Sequence, residues 1–248
     1  MNLVCRLGSI ALMLAMWIAA SHFVSSRLLP APEAVALAIF HEARSGALGF
    51  NLAITLLRVF VSFTIAMLLG SVIGLGMGRV SAINRFVDPW LVVLLNLPAL
   101  VIIVLAYIWV GLTETAAIIA VALNKLPVAI VTVREGARAL DPELDEMAAV
   151  FRMGGWVRLR HVVLPQLGPY LAAAARSGLS LVWKIVLIVE LLGRPNGVGF
   201  EIGVAFQLFD ITRILAYALT FVAVMLAIEN LLVQPLERHL FRWRAKPA

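Results

Sequence analysis

The stretch that decides the fold is NLAITLLRVFVSFTIAMLLGSVIGLGMG, residues 51–78. It contains a single charged side chain, Arg58, and it exceeds the roughly 20 residues that an α-helix needs to cross a bilayer core. Its apolar residues do not alternate with polar ones as they do in a barrel strand. The stretch therefore predicts a membrane-spanning helix.

The composition of the whole chain supports this prediction. Of the 248 residues, 62% are hydrophobic and 14% are charged, and the mean hydropathy is +1.01. Soluble domains hold roughly 45–50% apolar and about 25% charged residues. A soluble fold of this size could not hide so much apolar surface. We expect an all-α membrane protein with one transmembrane domain over residues 1–248.

Five further apolar stretches predict helices, which gives about six transmembrane spans. The predicted spans are 8–26, 51–78, 87–110, 115–133, 166–192 and 211–233. A signal peptide competes with the first span, but Ala19-Ala20-Ser21-His22 is a poor cleavage site. We therefore expect an uncleaved helix there.

The basic residues outside the spans favour one orientation. With the N-terminus inside, the cytoplasmic segments hold twelve: Arg6, Arg79, Arg85, Arg134, Arg138, Arg152, Arg158, Arg160, Arg238, Arg242, Arg244 and Lys246. The outer segments hold four: Arg27, Arg44, Arg194 and Arg213. This positive-inside bias predicts that both termini are cytoplasmic. It also explains the sequence pI of about 10.2 without a nucleic-acid partner.

The longest polar segment, 134–164, is cytoplasmic in this orientation and lies between spans 4 and 5. Asp141-Pro142 is a helix start signal, with aspartate as the N-cap and proline in the first turn. Apolar residues then recur at the spacing of one helical face. That face consists of Leu144, Met147, Ala148 and Phe151. The segment predicts a short amphipathic helix that either rests on lipid headgroups or binds a partner.

The same segment resembles the cytoplasmic loop of ABC importer permeases. The family pattern is Glu-Ala-Ala, three residues, Gly, nine residues, Ile, one residue, Leu-Pro. Glu146-Met147-Ala148, Val162 and Leu164-Pro165 take the corresponding places, whereas Arg152 stands where the family usually has glycine. Because arginine there favours a helix over a turn, we expect the helix to break later, at Gly154-Gly155.

Other motifs extend the resemblance to the nitrate/sulfonate/taurine-type permeases. They are Leu29-Pro30-Ala31-Pro32, Ser45-Gly46, Leu56-Leu57-Arg58-Val59 with Phe63, Gly70-Ser71-Val72-Ile73-Gly74 with Gly78, Asp88-Pro89 and Leu97-Pro98. The resemblance implies a permease subunit of an ATP-driven importer in the bacterial inner membrane. It would form the translocation path for a small, anionic solute (sulfonate-, nitrate- or taurine-like) that an extracytoplasmic binding protein delivers.

The resemblance also implies the partners. These are a second permease copy, as a homodimer, two cytoplasmic ATP-binding subunits, and the binding protein, all at a lipid membrane. The sequence contains no G-x-x-x-x-G-K-[ST] motif. We therefore expect no enzyme activity and no catalytic, metal or cofactor site in this chain, with ATP and Mg²⁺ held by the ATPase. An ion-coupled secondary transporter is the alternative.

The residues that the resemblance assigns to ATPase coupling lie in the predicted loop helix and just after it. They are Leu144, Asp145, Glu146, Met147, Ala148, Phe151, Arg152, Gly154 and Gly155. Leu144, Met147 and Phe151 would anchor the helix in the ATPase groove. Asp145 and Glu146 would face basic residues of that groove.

Polar residues within the spans are the candidates for the translocation path, because each intramembrane charge is costly. Ser177, Ser180 and Lys184 fall on one helical face, and Lys125 is a second deep cation. These two cations would suit an anionic solute. Alternatively, both lysines pair with carboxylates or carbonyls at a subunit interface.

Other intramembrane features have structural explanations. Arg58, Glu190 and Glu229 lie near span ends, which favours snorkelling or ion pairs. The glycines at 70, 74 and 78 recur every fourth residue and predict close helix packing. The connection 193–199 is either a flexible outer segment that gates the pathway or meets the binding protein, or an ordinary loop.

Overall fold

The structure, a computed structural model, describes residues 3–24 and 28–235. Every regular element in these ranges is helical, which confirms the all-α prediction. The helices are α1 (Leu3–Phe23), α2 (Pro32–Arg44), α3 (Ala47–Arg79), α4 (Ser81–Asn96), α5 (Ala99–Val110), α6 (Glu114–Arg138), α7 (Pro142–Val150), α8 (Gly155–Arg158), α9 (Leu164–Gly193), α10 (Val198–Gln207) and α11 (Ile211–Ile228). A π-helical segment, Leu159–Val163, joins α8 to α9, and a second one, Glu229–Val233, follows α11.

The described residues form two compact units. One unit contains the residues up to Leu56 together with Glu190–Ala227, and the other contains Leu57–Val189 together with the residues from Ile228 onward. The loop helix α7 and all four predicted path residues belong to the second unit.

Several helices are long and apolar enough to cross a membrane. In the part of the chain that the structure describes, these are the helices over Ala47–Arg79, Glu114–Arg138, Gly155–Gly193 and Ile211–Leu231, and the bent pair α4 and α5 makes a fifth. Helix α1 has a shorter apolar stretch, Gly8–Phe23, and residues 25–26 of the first predicted span lie outside the described residues. The protein is a multi-pass membrane protein, and the sixth span stays a prediction.

The structure corrects the continuous helix predicted over 87–110. Helix α4 ends at Asn96, and α5 begins at Ala99 after a bend of 101°. Leu97 is extended, with ψ at 127°, because the ring of Pro98 disfavours the helical conformation of the preceding residue. Pro98 also has no N–H to donate to a helical carbonyl.

The packing of α3 against α6 confirms the prediction for the glycine stripe. A Cβ added at Gly70 would lie 2.6 Å from the Cβ of Ala129, and one added at Gly74 would lie 2.7 Å from the carbonyl oxygen of Ile130. Only glycine leaves space for such a close approach. This contact fixes the C-terminal end of α3 (the foot of α3) beside the C-terminal end of α6, where the loop that carries α7 begins.

A buried core holds α5, α6 and α9 together in the second unit. Its fully buried members include Ile103 from α5, Ala120 from α6 and Val186 from α9. The Tyr107 hydroxyl donates to the carbonyl oxygen of Val189 at 2.8 Å, which satisfies the one polar group that Tyr107 brings into this core. The core therefore gives α9 a fixed rotation, which decides which of its side chains face outward.

Candidate functional site

The loop helix α7 begins as the sequence predicts. The Asp141 side chain accepts a hydrogen bond from the Glu143 backbone N–H at 2.9 Å, and Pro142 is the first helical residue. In turn, the Asp141 N–H donates to the Gln166 side-chain oxygen at 2.9 Å. This last bond ties the start of α7 to the first turn of α9.

The end of α7 corrects the predicted break at Gly154-Gly155. The helix stops at Val150, and Arg152 adopts a left-handed conformation with φ at +50°. The Met153 N–H donates to the Ala148 carbonyl at 2.9 Å and the Arg152 N–H to the Ala149 carbonyl at 3.0 Å, which is the hydrogen-bond pattern of a Schellman cap. Arg152 thus occupies the turn that glycine usually forms, and the arginine does not extend the helix.

One face of α7 is bound to the permease itself, which corrects the role predicted for Asp145. The carboxylate accepts hydrogen bonds from the guanidinium groups of Arg79, at the end of α3, and Arg158, in α8. Arg79 Nη2 lies 3.0 Å and Arg158 Nε 3.2 Å from Asp145 Oδ1. The hydrogen bond from Arg79, followed by that from Arg158, lowers the pKa of Asp145 to about 2. We call this three-residue contact the Asp145 clasp.

The opposite face of α7 is open. Val150 and Phe151 are 80% and 71% exposed, whereas Ala148 is buried at 1%. Ala148 therefore packs inward, which corrects its place in the predicted outward stripe, and Leu144 and Met147 lie at the edge between the two faces. Glu146 is exposed. We call Glu146, Val150 and Phe151 the outward face of α7.

Lys125 does not line an open path in this chain, which corrects one of the two predicted path lysines. It is fully buried, and its Nζ donates to the Ala174 carbonyl of α9 at 2.9 Å. Gly178, one turn further along α9, provides the space, because a Cβ at that position would overlap the lysine side chain. Lys125 therefore bridges α6 and α9. It pairs with a carbonyl, as the alternative prediction stated, but this carbonyl belongs to the same chain and not to a subunit interface.

The other three predicted path residues share one exposed face of α9. The Ser177 and Ser180 hydroxyls donate to the carbonyls of their own helix, at 3.3 Å to Ala174 and 3.0 Å to Ser177. Lys184 is exposed, and the structure gives it no hydrogen bond or ion pair among the described residues. The structure thus places these three side chains on one exposed face, whereas Lys125 is buried and reaches the Ala174 carbonyl, which Ser177 also binds, from α6.

A buried polar network in the first unit was missed by the sequence reasoning. Three successive backbone N–H groups at the start of α10 bind buried side chains: Gly197 donates to Asn51 Oδ1 at 2.7 Å, Val198 to Thr55 Oγ1 at 2.9 Å, and Gly199 to Glu190 Oε2 at 2.8 Å. The backbone N–H groups at the end of the connection 193–199 are therefore fixed by buried side chains, which contradicts the prediction of a flexible segment. Glu190 is completely buried, so it does not snorkel.

The remaining intramembrane charges form ion pairs, as one of the two predicted explanations required. Arg58 binds Glu114 through two hydrogen bonds of 2.7 and 2.9 Å. Arg176 Nε lies 3.8 Å from Glu229. The sequence indicated these ion pairs only through the number of charged residues within apolar stretches.

The chain matches the model of one protein family over most of its length. Residues 66–245 match the family described as binding-protein-dependent transport system inner membrane component. Among individual proteins, the chain is similar to the putative aliphatic sulfonates transport permease SsuC of Escherichia coli K12, with 31% identity over 92% of this chain and 88% of the relative. It is also similar to SsuC of Bacillus subtilis 168, at 29% over 94% of this chain and 85% of the relative, and to the taurine permease TauC of E. coli K12, at 24% over 97% and 90%.

Two solved structures share the fold. An amino acid ABC transporter superposes with a TM-score of 0.62 at 22% identity, covering 76% of this chain and 92% of the other. The MetNI methionine ABC transporter superposes with a TM-score of 0.61 at 19% identity, covering 78% and 94%. At these identities the likeness concerns the fold alone.

Proposed function

Because this chain belongs to the family of binding-protein-dependent transport system inner membrane components, and is thus an ABC importer permease, we propose that it carries small organic sulfonates across the inner membrane. The observation that carries the solute class is the similarity to SsuC at 31% identity over 92% of the chain. Alkanesulfonates and taurine both carry a negatively charged sulfonate group, which agrees with an exposed lysine in a span. An ion-coupled carrier has no support from the family or from its relatives.

The proposed assembly contains two copies of this permease, two ATP-binding subunits and an extracytoplasmic binding protein. ATP and Mg²⁺ belong to the ATP-binding subunits, since this chain carries no Walker A sequence. The loop that carries α7 lies on the cytoplasmic side together with both termini. This orientation follows the positive-inside distribution of the arginines and lysines.

The outward face of α7 is the proposed contact with the ATPase. Val150 and Phe151 are large apolar side chains that project from a short helix outside the spans, and burial against a partner removes their apolar area from water. The Asp145 clasp holds α7 against the foot of α3, so that a movement of α7 passes to the spans. Gly154 and Gly155 then serve the turn into α8 and have no direct contact with the partner.

The exposed face of α9 is the proposed translocation path. Lys184 lies within a span, and a charged side chain there faces a water-filled path or a partner copy because lipid contact is too costly. Ser177 and Ser180 extend this polar face by two turns. The lysine attracts the sulfonate group, and the serine hydroxyls offer weaker contacts along the way.

Purification with mass spectrometry tests the ATPase contact. The tagged chain is extracted from its native membrane in mild detergent, and we expect a stoichiometric protein with a Walker A sequence to accompany it. Val150→Asp and Phe151→Asp should each abolish this association. Phe209→Asp is the matched control, because Phe209 is an aromatic residue that is 84% exposed but lies after α10. Retention of the ATPase by both α7 variants would refute the contact.

Uptake measurements test the solute class separately. In cells that carry the complete transporter, labelled taurine or a short alkanesulfonate should accumulate in an ATP-dependent manner. Unlabelled sulfonates should compete, and neutral amino acids should not. Uptake that ignores all sulfonates would remove the proposed solute and leave the permease assignment intact.

A further inference from the structure

A cavity of about 430 Å³ opens beside the Asp145 clasp, at the foot of the second unit. It is lined by Leu75, Arg79, Gly155, Arg158, Leu159 and Val163. The walls combine aliphatic side chains with two guanidinium groups. Such a lining is suited to an amphiphile that has a negatively charged end.

The charges of the cavity leave one positive charge unbalanced. Arg79 and Arg158 contribute two cations, and Asp145 is the single carboxylate bound to both. A guanidinium has five N–H donors, and the clasp uses only part of each. The remaining donors can receive one further anion, and a phosphodiester carries one negative charge and accepts such paired donors well.

The position of the cavity along the spans points to the membrane interface. The helix over Ala47–Arg79 ends at the cavity and the one over Gly155–Gly193 begins there. Both exceed the roughly 20 residues that cross the hydrocarbon core, so that the cavity lies beyond the core, at the level of the headgroups. Trp156, next to the lining residue Gly155, is 71% exposed, as expected for an indole among lipid headgroups. Leu75 lies one turn deeper in α3, on the hydrocarbon side of Arg79.

We propose that this cavity binds the headgroup of an anionic phospholipid. The phosphate contacts Arg79 and Arg158, and the first carbons of the acyl chains lie against Leu75 and Leu159. Basic pockets between spans at this depth are suited to anionic lipid headgroups. The lipid would add a fourth member to the clasp and fasten α7 to the membrane surface. This site is independent of the transported solute and of which side of the membrane α7 occupies.

Native mass spectrometry tests the proposal on the full chain, with any ATPase that accompanies it. The protein is reconstituted in vesicles of phosphatidylcholine or of phosphatidylcholine with phosphatidylglycerol. It is then extracted again, and the mass of the protein with its bound lipid is measured. We expect one tightly retained phosphatidylglycerol per permease chain and no equivalent retention of phosphatidylcholine. Arg158→Gln should reduce this retention about fivefold, since each basic residue near a membrane surface contributes about that factor.

Two further variants separate the cavity from general surface charge. Gly155→Leu narrows the cavity without removing a charge, and a Cβ at that position meets no atom within 4 Å, so that folding should persist while retention falls. Arg138→Gln is the matched control, because Arg138 also pairs with a carboxylate, Glu135, at 3.3 Å but does not line the cavity. Equal retention in Arg158→Gln, Gly155→Leu and Arg138→Gln would overturn the proposal. Equal retention of both lipids by the unaltered chain would overturn it as well.

Discussion

Two lysines deep in the spans have opposite surroundings. Lys125 in α6 is fully buried and donates to a carbonyl of α9, and Gly178 provides space for its side chain. Lys184 in α9 is exposed and has neither a hydrogen bond nor an ion pair among the described residues. A lysine that its own chain encloses contributes to packing. One that its chain leaves open needs water, a solute or another subunit.

The loop helix α7 repeats this division on its two faces. Asp145 and Ala148 are directed toward the permease, one into the clasp and the other into the packing. Val150 and Phe151 are left open. We therefore expect changes at enclosed residues to alter the stability of the chain, and changes at open residues to alter transport or assembly.

Gly178→Val should produce the largest effect. The new side chain takes the space of Lys125, so that either the lysine loses its carbonyl partner or α6 and α9 separate. We expect a loss of at least about 3 kcal/mol in the free energy of unfolding, seen as poor yield and a lower melting temperature in detergent. Gly49→Val in α3 is the control, because a Cβ at Gly49 meets no atom within 4 Å and no proline follows it. Equal losses at both positions would remove the special role of Gly178.

Exchange of each lysine for methionine tests whether the enclosed lysine serves packing and the open lysine serves transport. Lys184→Met should lower sulfonate uptake about tenfold or more at an unchanged melting temperature, because a hydrogen bond to a charged group contributes about 1.5–3 kcal/mol. Lys125→Met should leave uptake unchanged but lower the melting temperature, because the hydrogen bond from Nζ to the Ala174 carbonyl between α6 and α9 is lost. Unchanged uptake in Lys184→Met would remove the proposed anion path.

Arg152→Gly should stabilise the chain by about 1 kcal/mol, because a left-handed backbone is strained for arginine and not for glycine. The expected readout is a melting temperature a few degrees higher. ATPase co-purification reports whether the arginine side chain also serves the contact. A lower melting temperature would mean that the side chain stabilises the turn by more than the strain costs.

The smallest effect concerns the pH dependence of the Asp145 clasp. The pKa of Asp145 is about 2 in the folded chain and about 3.9 in a free aspartate, so its contribution is complete above pH ~4 and is lost as the pH falls toward 2. Asp145→Asn should melt slightly lower at neutral pH, by less than about 1 kcal/mol, because the pair is partly solvated. The two melting curves should converge near pH 2. A constant difference across this range would exclude the carboxylate as the cause.

Local signals in the sequence predicted the parts of the fold that depend on neighbouring residues. Asp141-Pro142 marked the start of α7, and the glycine stripe predicted the packing of α3. The family pattern marked the turn, because it has glycine where Arg152 stands, but the arginine led to a prediction of a later break. A helix end depends on which carbonyls find donors, and residue type alone does not decide this.

Contacts between distant segments were also beyond the sequence. Nothing near Lys125 indicates that a glycine in α9 faces it, so both lysines looked equally available. Val150 lay outside the apolar stripe that periodicity selected, yet it is the most exposed large hydrophobic side chain of α7. The rotation of a helix is set by its whole packing surface, which short-range spacing only approximates.

The fit between Lys125 and Gly178 has a consequence for how such chains diverge. A side chain can be gained at position 178 only after the lysine at 125 has been shortened or lost, so the order of the two substitutions is constrained. Relatives with alanine or a larger residue at position 178 should carry a residue smaller than lysine at position 125. The two positions should therefore vary together, although they lie in different helices.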